Sequence, residues 1–307
     1  DAITLSLKAI NLKPGDEVIT CPNSYIATSW AIVAAQGKPV FVDCNESMNI
    51  DYKQIENKIN KNTKAIIPTH LTGMPCDIHE IEKIASKYNL PVIYDCAQAV
   101  GSKYKKKNIG GIGFISCFSL HPLKNLAVLG DGGIITTDSF GIYKKLLMLR
   151  NHGSQNRDYI KIWGYNSRLD NLQANIASIK LKKLNIWIKH IRKIANRYSE
   201  GLKDFLQVPL EPAAKESSFH LYIVKTKSKK ERSALMNYLK RKHIDTKIHY
   251  PIPIHLQECC SNLNYMKGDF PNVENFSNRI LSLPIYPTLT FNKVDYIINS
   301  IKQFYER

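Results

Sequence analysis

The sequence predicts an α/β protein: a large domain on a mostly parallel sheet between helices, followed by a smaller α+β domain. Short, β-branched runs that are apolar almost throughout recur across residues 17–137. Amphipathic helical patterns separate them, the arrangement of a parallel sheet covered on both faces. Near residue 200 the text changes character, which places the division at 1–205 and 206–307.

In chain order, the strand-like runs are EVITC (17–21), PVFVDC (39–44), KAIIPTH (64–70), PVIYDC (91–96), FISCFSL (114–120) and GGIITT (132–137). Helical patterns lie between the earlier ones, over 23–37, 51–59 and 77–89. The last opens on Asp77 with Glu80 three residues on, the signature of a capping box. Residues 168–200 form one long helical pattern. Beyond it, 217–226 reads as a strand, 231–242 as a helix, and LSLPIYPTLT (281–290) as a Pro-rich ending. The opening text, DAITLSLKAINL, has the pattern of the middle of an amphipathic helix, so an upstream segment is expected.

The 307 residues, 44% of them hydrophobic, suffice for a sizeable core. No run is long and apolar enough for a membrane span. Net charge is +17, but the lysines are scattered and the longest cluster, KYKKKN (103–108), is short. That is not the basic stripe of a nucleic-acid binder, and an anionic small substrate suits the charge equally well. Seven cysteines without a CxxC pair suggest reduced, buried thiols in a cytoplasmic protein, not a zinc site or disulfide framework.

Ligands of open parallel sheets sit beyond the carboxyl ends of the strands. His70, Asp95 and Ser119 end three successive runs, and Lys124 follows Ser119 by five residues. Asp95 also reads as a helix N-cap, and Lys124 as one more solvated lysine. Together they form a constellation that pyridoxal phosphate requires: an acid for the pyridine nitrogen, a hydroxyl for the phosphate and a lysine for the aldehyde. The glycines of GGIG (110–113) and GDGG (130–133) lack the context of a dinucleotide fingerprint or P-loop and read as tight turns with positive φ. The histidines show no metal-binding spacing, so no metal is expected.

PGDEVIT, PVFVDC, YDCAQAVGSKYKKKNIGGIG, FSLHPLKNLAVLGDGG, LRNHG, YNSRLDNLQANI and SLPIYPTLT run in the order found in the DegT/DnrJ/EryC1/StrS sugar aminotransferases. The chain resembles that family over nearly its whole length. The resemblance implies PLP fold type I, pyridoxal 5'-phosphate as cofactor and its pyridoxamine form between half-reactions. Lys124 then holds the cofactor, Asp95 faces the pyridine nitrogen, Gln98 lies near the 3'-hydroxyl and Ser119 binds phosphate. Tyr25 stacks on the ring, and Asn166 reaches the phosphate from a neighbouring subunit, which implies a homodimer with shared active sites. The family's Gly-Thr phosphate pair would immediately precede Asp1, leaving the Asp1 backbone as the cofactor contact at that end. Arg168, His249 and His255 are candidate substrate contacts.

The implied reaction moves an amino group from an amino acid, most simply glutamate, to a keto-sugar, usually nucleotide-linked, in surface-glycan or related biosynthesis. A dehydrating branch of the family has histidine where Lys124 stands, so transamination is favoured. His121-Pro122-Leu123 departs from the family's usual tyrosine-proline text without a derivable effect. Three alternatives stay open: a PLP-dependent dehydratase or amino-acid-acting relative, a non-catalytic PLP-binding regulator, and a nucleic-acid binder. Product analysis on a panel of keto-sugars, a yellow protein without turnover, and a salt-dependent duplex shift would respectively mark them.

Overall fold

The computed structural model describes residues 1–306. Its first half alternates helices α1 (Ala2–Ala9), α2 (Ile26–Ala34), α3 (Tyr52–Ile55) and α4 (Ile78–Lys87) with strands β1 (Glu17–Thr20), β2 (Lys38–Phe41), β3 (Thr63–Ile66) and β4 (Ile93–Asp95). A short hairpin, β5 (Lys103–Tyr104) and β6 (Lys107–Asn108), precedes β7 (Ile115–Ser119) and β8 (Gly133–Thr136). β2, β1 and β3 pair in parallel, as do β4 and β7. Parallel bridges Ile66–Val92 and Thr69–Asp95 join the two groups. The layer therefore runs β2-β1-β3-β4-β7-β8, with β8 antiparallel at the edge.

Both faces of this layer are covered, and the alternation of side chains along each strand sorts the apolar residues. Val18, Ala65, Ile67, Ile93 and Ile115 share a core with Leu7 of α1 and Ile32 of α2. Their neighbours Ile19, Ile66, Val92 and Tyr94 face the other way, onto Ile55 of α3 and Ile78, Ile81 and Ala85 of α4. This two-sided burial is why the strands read as continuous apolar runs.

After α5 (Phe140–Leu149), helix α6 (Asn171–Leu202) runs 32 residues, about 48 Å at the usual rise. Its inner face, from Ala177 to Leu202, packs with the remainder of the chain. That remainder comprises β9 (Lys215–Glu216), β10 (Tyr222–Lys225), α7 (Lys229–Arg241), α8 (Pro271–Arg279), β11 (Ile280–Leu283) and α9 (Phe291–Tyr305). β10 and β11 pair antiparallel, while β9 joins the hairpin through β5. Ile223, Ile254, Phe270 and Phe276 of this portion are buried in the same core as β1, β3 and β4.

Three local expectations need correction. Asp77 precedes α4 but makes no capping bond; its carboxylate instead accepts from Lys215 Nζ at 2.7 Å and Asn45 Nδ2 at 3.2 Å. A buried ammonium competes better for that carboxylate than a backbone N–H. Gly110 and Gly113 have positive φ, but the GDGG glycines do not. Gly132 is small because a Cβ there would meet Leu169 Cδ1 at 2.8 Å. The Pro-rich ending is cut into β11 and a turn before α9, pairing that a period-based reading of 281–290 does not anticipate.

Ile32→Ala removes a fully buried side chain between α2 and the sheet and is expected to lower unfolding free energy by about 2–5 kcal/mol. Leu210→Ala, at a position 76% exposed, should stay within about 0.5 kcal/mol. Urea unfolding of both variants checks the assignment of faces.

Candidate active site

Asp95 ends β4 and is buried. An ionised carboxylate there needs donors, and it has two: Thr28 Oγ1 donates to Oδ2 at 2.6 Å, and the Ala97 N–H donates to Oδ1 at 3.0 Å. Thr28 is in turn 2.9 Å from Ser24 Oγ, so the N-terminal turn of α2 is tied to the strand end. The backbone is tied as well: Asp95 N–H donates to Pro68 O and His70 N–H to Asp95 O, both at 3.0 Å. The His70 ring lies buried and stacked on Tyr94, and Nδ1 accepts from Cys76 N–H at 3.1 Å. Burial, aided by the Lys215 charge, pushes that imidazole down to about 3, so it is neutral.

Gln98 sits one turn past Asp95. Its Oε1 accepts from Thr72 N–H at 2.6 Å, and Nε2 donates to Tyr250 OH at 3.2 Å. The Tyr250 ring is 5.9 Å from that of Tyr25. Burial and the Asp95 charge push the Tyr250 phenol up to about 12, with the Gln98 bond pulling the other way. Tyr25 immediately precedes α2 and is exposed.

In register, Asp95 pairs with Cys117, so Ser119 lies two residues further along β7 on the same face. Ser119 Oγ accepts from His121 N–H at 3.3 Å, which leaves its own proton free to donate. The turn that follows, closed by Lys124 N–H on His121 O at 2.8 Å, carries Lys124. Burial lowers the tendency of Lys124 to hold its proton, and the Asp95 charge partly restores it. Burial lowers both the His220 and His249 imidazoles, His220 to about 3, and the nearby Lys124 charge lowers each further. His249 Nδ1 is 2.8 Å from Ser282 Oγ on β11.

Asp95, Gln98, Ser119, Lys124, Tyr25 and His249 are thus brought together at the carboxyl ends of β4 and β7. Four other residues singled out in the sequence are not. His255 has a wholly buried ring, with Nε2 3.0 Å from Glu274 Oε1 and Phe270 packed edge-on; it is placed as a core residue, closed to a substrate. Arg168 is exposed, and its guanidinium reaches Asn151 Oδ1 at 3.4 Å. Asn166 is exposed on the same loop, bridged to Asn151. Asp1 caps no helix N–H, and its carboxylate accepts from Ser167 Oγ at 2.7 Å.

Sequence reasoning missed Thr28, Asn125, His220 and Tyr250. A polar residue one turn into an apolar helix is the only signal for Thr28. Asn125 and Tyr250 each adjoin a residue that was singled out, while His220 stands alone before β10.

Lys124 Nζ makes no hydrogen bond or ion pair among the described residues. A half-buried amine without a partner, facing a satisfied carboxylate, with a free hydroxyl and an open aromatic ring beside it, suits a flat, anionic aldehyde. The residues fit pyridoxal phosphate. Among the described residues no helix is long and apolar enough to cross a membrane.

Comparison with known proteins agrees with this chemistry. The model of the DegT/DnrJ/EryC1/StrS aminotransferase family matches residues 1–302. The "Pleiotropic regulatory protein" of Geobacillus stearothermophilus is 39% identical over 99% of this chain and 82% of its own length. The dTDP-3-amino-3,6-dideoxy-alpha-D-galactopyranose transaminase of Aneurinibacillus thermoaerophilus is 42% identical over 99% of this chain and 83% of its own. Among solved structures, S. venezuelae DesV in complex with a ketimine intermediate superposes with a TM-score of 0.97 at 34% identity, over 100% of this chain and 83% of that one. NtdA from Bacillus subtilis with bound cofactor PMP gives 0.92 at 32% identity, over 100% and 71%.

The neutral His70 sets a pH dependence. Its folded pKa, about 3, lies below the unfolded value of about 6.5. Below that unfolded value the unfolded chain binds the extra proton, so stability falls as pH drops from about 6.5 towards 3, by up to about 1.4 kcal/mol per pH unit. His70→Gln should flatten the pH dependence by up to that slope, measured by urea unfolding at a series of pH values.

Proposed function

This chain belongs to the DegT/DnrJ/EryC1/StrS aminotransferase family, and on that premise we propose that Lys124 is its cofactor lysine. The protein is a PLP-dependent aminotransferase of amino-sugar formation. The observation that carries the residue assignment is the unpartnered Lys124 amine facing Asp95 at the carboxyl ends of β4 and β7.

Bound pyridoxal phosphate supplies an electron sink for the bonds of the donor's α-carbon. Lys124 would hold its aldehyde, and its amine, when free, would take the donor's α-proton as a general base. Burial destabilises the ammonium form, so the neutral amine is present at lower pH than on a solvated lysine. Asp95, aimed by its two donors, would face the pyridine nitrogen and favour a proton there. Gln98, its oxygen already taken by Thr72 N–H, offers its second amide proton towards the 3'-oxygen. Ser119 donates to the phosphate, and Tyr25 covers the ring. His249 is the substrate contact that this geometry favours, ahead of Arg168. The donor is proposed to be glutamate and the acceptor a nucleotide-linked keto-sugar, met between the portions 1–205 and 206–307. A protein that binds the cofactor without turnover is the second reading, favoured only by the regulatory and sensory names of some relatives.

The partner is proposed to be a second copy of the chain, with Asn166 reaching the other copy's phosphate. Two features support this. Leu172, Ile179 and Ile186 recur at seven-residue intervals on α6 and are exposed, a stripe opposite the buried face. Trp163, 97% exposed, stands on the loop that carries Asn166.

Borohydride reduction of the holoprotein followed by peptide mapping should place the pyridoxyl label on Lys124; a label elsewhere, or none, sinks the assignment. Lys124→Ala should keep the fold and lose about 10²–10⁴-fold or more in turnover, read with a panel of nucleotide-linked keto-sugars. Sedimentation should show a dimer that Ile179→Glu combined with Ile186→Glu converts to monomer; a monomeric wild type at micromolar concentration overturns the partner.

A further inference from the structure

Six of the seven cysteines are buried, and Cys259 alone is exposed. It stands beside the buried Cys260 in a short helical turn, Glu258–Leu263, on the segment that follows Tyr250. That turn is well anchored. Cys260 N–H donates to Gln257 O at 2.9 Å, Gln257 N–H to Ile254 O at 3.0 Å, and Ile254 N–H to Pro22 O at 3.1 Å. Cys260 is also buried in the same core as Ile254, Phe270 and Phe276. Successive side chains on a helix do not face one another, yet the two sulfurs here lie 4.0 Å apart.

This separation suits a bridging atom better than a disulfide. A disulfide needs its sulfurs at about 2.05 Å and its Cα atoms at least about 4.4 Å apart. Adjacent Cα atoms across a trans peptide, as here, stand only about 3.8 Å apart. A thiophilic ion takes sulfur at about 2.3 Å, and two sulfurs 4.0 Å apart subtend about 120° at such a centre, the angle of trigonal coordination. Structural zinc takes four protein ligands. Among the described residues no three His, Cys, Asp or Glu side chains gather to hold an ion, so the chain offers the two sulfurs and no more. Soft thiolates with few ligands around them select Cu(I). Burial pushes the Cys260 thiol up to about 11, with Cys259 adding to the shift, so an ion must displace protons to bind.

We propose that Cys259 and Cys260 form a site for one soft monovalent ion of the Cu(I) class, held by both sulfurs and completed by one small ligand from solution. Binding forms two metal–sulfur bonds and releases both thiol protons to solvent, with no change of oxidation state. The site shares no residue with the cofactor constellation and does not rest on the role of Lys124.

The test uses the holoprotein in anaerobic, thiol-free buffer, with Cu(I) supplied in competition with a chromophoric Cu(I) chelator. The wild type should take up one equivalent. Cys259→Ser, at an exposed position, should lower the affinity by more than about 100-fold, beyond the cost of losing an outer-shell partner. One equivalent of Cu(I) should also shield Cys259 from iodoacetamide, mapped by mass spectrometry. Cys260→Ser should weaken uptake in the same way; where that buried variant does not fold, Cys259→Ser and the shielding decide. No uptake by the wild type, uptake unchanged in Cys259→Ser, or alkylation of Cys259 at the same rate with and without Cu(I) overturns the proposal.

Discussion

A buried carboxylate at the end of a parallel strand is the constraint on which the site depends. Buried at the end of β4, Asp95 needs polar partners, and Thr28 Oγ1 and the Ala97 N–H both donate to it. Meeting that need fixes the N-terminal turn of α2 against β4, and with it the place of Tyr25. The charge then acts outward, opposing the effect of burial on Lys124 and adding to its effect on Tyr250.

The sheet supplies the frame and the distant segments supply the walls. Parallel pairing puts Asp95 and Ser119 at neighbouring strand ends on one face, and the turn closed on His121 returns Lys124 to them. From the other half of the chain come Tyr250, bonded to Gln98, and His220, bonded to Asn125. Each side chain that bears on the chemistry is held by a second residue whose job is geometric. Lys124 alone is left unheld, as a group that must form and break a bond in each cycle would be.

The frame was legible from the residues because two-sided burial makes parallel strands apolar throughout, and their polar final residues then stand out. Asp95 and Ser119 stand out that way, and Lys124 follows Ser119 by five residues. The walls were not legible, since nothing local to His220 or Tyr250 says which strand end they will meet. Asp77 shows a different limit: its spacing from Glu80 is that of a cap, yet Lys215, far along the chain, takes the carboxylate. His255 shows a third, because the pattern PIPIH cannot reveal that Glu274 and Phe270 will enclose the ring. The resemblance to a known family named residues that the periodicity left ambiguous, and it carried no information on which of two nearby histidines would be sealed.

The bond between Gln98 and Tyr250 spans 152 residues of sequence, and the bonds from Asn272 and Val273 to Asp43 span 229 and 230. Contacts of such separation carry a large loop-closure cost and form late. On a ribosome, the sheet with its acid, hydroxyl and lysine would emerge well before the tyrosine that closes it. Folding of the last fifth of the chain, from Tyr250 onward, is therefore what completes the enclosure of Gln98 and the strand end beside it.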